Sequence, residues 1–172
     1  MRNALILAVS ALFLGSMSFG QPADKTAHAD IFNSKGEKIG TATLHEIQDG
    51  VRIDLDATHL PPGIHALHVH AVGKCDGPDF KSAGPHFNPE GKKHGVQNPE
   101  GPHAGDLPNF EVRADGRART SVVATRVSLG DGANSLFQSN GTALVIHEKA
   151  DDNLTDPAGN AGSRIACGAV QK

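Results

Sequence analysis

The chain has no tryptophan and no tyrosine, and phenylalanine is its only aromatic type. The large amphipathic anchors that dominate many protein interfaces are therefore missing, and composition points to no partner surface. Cysteine is almost as scarce, with only Cys75 and Cys167 in 172 residues. So little thiol argues against iron–sulfur chemistry and for metals that prefer imidazole. Positive charge is also short, since 16 Lys and Arg against 19 Asp and Glu leave a formal net charge of −3. With no basic stripe and no amphipathic helix, neither nucleic acid nor a membrane surface is an expected partner.

Long apolar runs are absent except near the start, where MRNALILAVSALFLGSMSFG carries one over residues 4–15. That run is far shorter than the roughly 20 residues a membrane-spanning helix needs. Arg2 before it and small residues after it predict a secretory signal peptide over 1–20, leaving 21–172 as one domain without a membrane anchor. Export places the protein in a periplasm or outside the cell. In either place the default reading of the two cysteines is one disulfide, with free thiols as the alternative.

What the sequence does have is period-two alternation, as in Val51, Ile53, Leu55 and Ala57, and again in Phe110, Val112 and Ala114. Such runs predict half-buried strands. SKGE, QDG, PPG and ADG punctuate them as turns. Short strands without a helical period indicate an all-β, antiparallel sandwich or barrel. Residues 72–108 and 149–162 break the rhythm as two long loops rich in Gly, Pro and Asn, and loops of that length are usually functional.

Histidine is plentiful, with ten residues. His68 and His70 lie two apart on a predicted strand and so project to one face. His86, His94 and His103 are followed by Asp106 in the first long loop, a closed four-ligand set of the kind that holds structural zinc. His147 stands alone on a later strand, placed to complete the first pair. His65 is offset by one from the pair's face and is read as a hydrogen-bonded core residue. His28, His45 and His59 are read as solvated.

The blocks HALHVHAVGKC, SAGPHFNPEGKKHG, HAGDLPN, ALVIHEKADD and GNAGSRIACG resemble the signature blocks of the copper–zinc superoxide dismutases, in that family's order. The resemblance implies an eight-stranded Greek-key barrel with two long functional loops. It implies one copper and one zinc per subunit, copper on His68, His70, His86 and His147, and zinc on His86, His94, His103 and Asp106, so that His86 bridges. Asp151 would sit behind the ligands, accepting from the outer ring nitrogens of His68 and His94. Cys75 and Cys167 would form the family's disulfide, and Arg164 would receive the anion above copper.

The implied activity is dismutation of superoxide to oxygen and hydrogen peroxide by alternate reduction and oxidation of copper, with Arg164 and His86 as catalytic residues and zinc structural. The alternative is a non-catalytic copper-binding or copper-delivery protein on the same barrel. The segment between Asp152 and Gly159 is shorter than in the animal cytosolic enzymes, and Pro157 and Ala158 stand where those carry a lysine and a threonine. Attraction of the anion then falls to Arg164 and to lysines such as Lys92 and Lys93. A homodimer stays open, because members of the family pair through different surfaces.

Overall fold

The computed structural model describes residues 25–172, so the predicted signal segment 1–20 lies outside the described residues. Alternation yields strands where it was strongest. Strand β1 spans Thr26–Asn33, β2 Lys38–Ile47 and β3 Gly50–Ala57; β1 and β3 bury alternate side chains, and β2 buries Ile39, Ala42 and Leu44. Val51, Ile53, Leu55 and Ala57 face inward and join Leu44 and Ala42 of β2 in the main apolar core. Burying one such branched side chain contributes roughly 1.5–3 kcal/mol, and this core supplies most of what opposes chain entropy.

The remaining strands are β4 (Gly63–His65), β5 (Leu67–His70), β6 (Phe110–Val112), β7 (Ala118–Ala124), β8 (Ala143–His147) and β9 (Arg164–Ala169). Seven of them form one antiparallel sheet in the order β5-β8-β9-β1-β2-β3-β7, and β4 pairs with β6. The small pair links the two edges of the large sheet. β4 runs directly into β5 at one edge, and β6 runs through a tight turn at Gly116 into β7 at the other. The sheet therefore curls into a barrel-like body.

Among the described residues nine strand segments stand where eight strands were expected, and the difference lies at Ala66. Its N–H donates to the Lys149 carbonyl and its carbonyl accepts from the His147 N–H, both at 2.9 Å. That exchange breaks the HALHVH strand in two, with the first half paired to β6 and the second to β8.

β5 and β8 are buried on both faces. One face looks into the main core; the other is covered by the two long loops, under which Phe80, Ala83, Ala143, Val145 and Cys167 form a second, small cluster. The first loop contains one short 3₁₀ turn, Lys81–Ala83, and is otherwise irregular, as composition predicted. The Cys75–Cys167 disulfide ties this loop to β9.

Candidate metal centre

The outer edge of β5 is completed by the loop. Phe87 N–H donates to the Val69 carbonyl at 2.8 Å and Val69 N–H to the Gly105 carbonyl at 2.9 Å. These bonds set His70 opposite His86, and His68 opposite Asp106. Backbone pairing thus carries two loop ligands onto the face of the strand pair. The approach at Gly105 is so close that a Cβ there would lie 2.3 Å from the Val69 carbonyl oxygen. His147 arrives from β8, at a register shift between Ile146 and His147 of the type that re-aims a side chain.

The result is two donor sets. His68, His70, His86 and His147 offer ligand atoms that all lie within 4.8 Å of one another, as do those of His86, His94, His103 and Asp106. Hydrogen bonds show which atom of each ring is left to bind a metal. His68 uses Nε2 on Asp151 (2.8 Å), His70 uses Nδ1 on the Gly84 carbonyl (2.8 Å), and His147 aims Nδ1 at the Gly162 carbonyl (3.3 Å). Their free nitrogens are therefore His68 Nδ1, His70 Nε2 and His147 Nε2, and the last two stand 3.4 Å apart. In the second set the Nδ1 atoms of His86, His94 and His103 converge on one oxygen of Asp106 at 3.0, 2.9 and 3.3 Å.

His86 belongs to both sets, with Nδ1 in the second and Nε2 aimed at the first. His86 Nε2 and His68 Nδ1 are buried and have no hydrogen-bond partner. Leaving such atoms dry costs about 1–3 kcal/mol each, so the arrangement fits a bound ion that accepts their lone pairs.

The electrostatics divide the sets. Burial, more than any other cause, holds the first set's rings neutral: His68 is pushed down, His70 down to about 2, and His86 and His147 down to about 4. The positive charge of Arg164 adds to this for His70 and His147. His94 behaves oppositely. Burial opposes its charge, but hydrogen bonds to Asp106 and Asp151 outweigh burial and raise it to about 9. Burial likewise pushes the carboxyls of Asp106 and Asp151 up, yet the histidines around them hold both well below the usual range.

His94 therefore keeps a proton in the metal-free protein that an ion at Nδ1 must displace. Because its pKa is raised on folding, this proton stabilises the metal-free fold fully below the unfolded value near 6.5, and the contribution is lost as pH rises through about 9. Metal uptake at the second set follows the opposite trend, strengthening as pH rises towards 9. Titrating metal-free protein with zinc at pH 7.5 in buffers of different ionisation enthalpy will show release of about one proton per ion. A release near zero would contradict this.

Asp151 is fixed as tightly as the ligands it supports. Its Oδ2 accepts from His68 Nε2 and its Oδ1 from His94 Nε2 at 3.0 Å, while Asn109 exchanges two 2.8 Å bonds with its backbone. Gly159 packs so closely on it, with φ +61°, that no side chain is admissible there. Arg164 donates to the carbonyls of Phe80 and Gly84, both at 2.7 Å, and faces a cleft of about 580 Å³ shared with Pro78, Asp79, Lys81, Gly162 and Ser163. Lys92 and Lys93 line a different groove, over His86 and His103.

Every sequence-predicted site residue, His68, His70, His86, His94, His103, Asp106, His147, Asp151 and Arg164, falls in or against this cluster, and Cys75 and Cys167 are bonded. His65 lies outside it, bridging the carbonyls of His147 (2.8 Å) and Pro61 (2.9 Å). His28 and His59 are exposed, and His45 is half-buried beside Asp54. Sequence reasoning missed Asn109, whose one signal was its place at the end of HAGDLPN. It also missed the Gly84 carbonyl, which serves both His70 and Arg164 and, as backbone, leaves no residue-type signal.

A family model described as copper/zinc superoxide dismutase matches residues 38–170. A copper–zinc superoxide dismutase of Aquifex aeolicus is 56% identical over 156 residues, covering 90% of this chain and 92% of that protein. A second enzyme of that organism is 53% identical over 168 residues and covers 96% of each. A superoxide dismutase-like protein from Bacillus subtilis has a solved structure with TM-score 0.80 at 43% identity, covering 83% of this chain and 96% of that one. The matched span holds both donor sets, the carboxylate behind them and the arginine over the cleft, and this chain belongs to the copper/zinc superoxide dismutase family.

Proposed function

We propose that His68, His70, His86 and His147 hold copper, that His86, His94, His103 and Asp106 hold zinc, and that His86 bridges the two. The observation that carries this reading is the His86 ring, with Nδ1 against the Asp106 carboxylate and Nε2 buried without a partner. Four neutral imidazoles suit copper, and three imidazoles with a carboxylate suit zinc. The reaction is dismutation of superoxide, in which two anions and two protons give oxygen and hydrogen peroxide.

When bound, copper supplies a one-electron redox change and zinc a fixed charge that orients the bridging ring. The residues supply the rest. Arg164 is preset by two carbonyls, so its guanidinium presents charge to an incoming anion without further ordering. His86 Nε2 is the nitrogen that takes up and gives back a proton, and it lies buried without a hydrogen-bond partner among the first set's ligand atoms. Asp151 fixes His68 and His94 with their Nδ1 atoms inward.

A copper-delivery role on the same barrel is disfavoured by the presence of both complete sets and Arg164. The segment 1–20 marks the chain for export, and the Cys75–Cys167 disulfide suits an oxidising periplasm or extracellular space.

Arg164→Ala tests the anion's route. A charge-assisted contact is worth about 1.5–3 kcal/mol, so kcat/KM at low salt will fall roughly ten- to hundredfold. The fall of rate with added salt will also become shallower. An unchanged rate and salt profile would remove Arg164 from the reaction.

A further inference from the structure

We infer that Asp156 is a positioning residue for the second donor set, a carboxylate that backs His103 from outside as Asp151 backs His68 and His94. The inference rests on the reading of that set as the zinc site.

A metal-bound imidazole is oriented by what its other ring nitrogen donates to, and an acceptor there also makes the ligand more basic. In this cluster the outer nitrogens of His68 and His94 have Asp151, that of His70 has the Gly84 carbonyl, and that of His147 has the Gly162 carbonyl. His86 has no outer nitrogen, because both face donor sets. His103 is the remaining ligand. Its Nδ1 points inward to Asp106, so Nε2 points outward, and the carboxylate facing it is Asp156, with Oδ1 at 3.9 Å.

Asp156 does not approach by accident of a loose loop. The same Oδ1 accepts the backbone N–H of His94 at 2.8 Å, so one oxygen addresses two ligands of one set. The segment that carries it is fastened to the ligand loop on the same side, where Gln97 N–H donates to the Asn153 carbonyl at 2.9 Å. Its turn is closed by Thr155 N–H on Asp152 Oδ1 at 2.8 Å. An ion at His103 Nδ1 withdraws charge from the ring and makes the Nε2–H more positive, which strengthens the attraction across the remaining gap. Lys93 Nζ, 3.6 Å from Oδ2, competes for the carboxylate. The short segment after Asp152 thus places an anchor for the second set at 156, immediately before Pro157 and Ala158.

Asp156→Asn separates this role from simple loop fastening. Asparagine keeps an oxygen for the His94 N–H but loses the charge offered to His103. Zinc affinity measured by chelator competition on the full mature protein will fall about tenfold or more in Asp156→Asn, and the visible bands of the cobalt-substituted second set will shift. Lys93→Gln, which frees the carboxylate, will tighten zinc. Equal zinc affinity and identical cobalt bands in wild type and Asp156→Asn would overturn the inference, as would loss of zinc confined to Asp156→Ala. Wild-type protein that binds neither zinc nor cobalt at this set would instead overturn the zinc reading itself.

Discussion

Replacing Cys75 and Cys167 by serine will lower the unfolding free energy of the metal-free protein by about 4–5 kcal/mol. The two residues are 92 apart in sequence, and in the chain-entropy model closing a loop of that length removes about that much freedom from the unfolded chain. Cys167 is fully buried in the small cluster with Phe80, Ala83, Ala143 and Val145, so the cross-link also fastens the first loop over β8 and β9. Function will follow stability, because the carbonyls that hold Arg164 belong to Phe80 and Gly84 in the tethered segment. Urea unfolding of metal-free wild type and the double serine variant reads the difference. A change below about 1 kcal/mol would show that loop packing alone orders the segment.

The second large effect is expected at Asp151. Both ring nitrogens it faces donate to it, which leaves His68 Nδ1 and His94 Nδ1 as the inward atoms. In Asp151→Asn one acceptor becomes an amide N–H₂ donor that opposes a ring N–H, and that ring must rotate or change tautomer. Because one carboxylate serves a ligand of each set, both metals will bind about 10–100-fold more weakly, or roughly 1.4–2.7 kcal/mol each. Competition titrations with copper and zinc chelators measure this. Loss of one metal with the other unchanged would mean that Asp151 acts on a single set.

The residues explain which parts of this structure were legible in the sequence. Strand β3 was plain because its outer face meets water, so Val51, Ile53, Leu55 and Ala57 alternate with polar residues. β8 has no such period, because ALVIH is covered on both faces, and the strand there was read from its short apolar run ending in His147. The break at Ala66 was hidden: the bonds that cause it come from Lys149 and His147, some eighty residues away. Within the site, side-chain ligands were readable from residue type and order. The Gly84 and Gly162 carbonyls were not, since any residue could supply them. Asp156 was passed over because a lone aspartate in a polar loop carries no motif, and only the fold brings it to His94 and His103.

Two metal sets that meet at His86 give this protein its superoxide dismutation. The most direct test of this is the dismutation rate of the copper- and zinc-loaded protein beside His147→Ala, with metal content determined for both. The wild type will be active and hold one copper and one zinc per chain, and the variant will keep zinc but lose activity with its copper. Full activity in His147→Ala, or none in the loaded wild type, would contradict it.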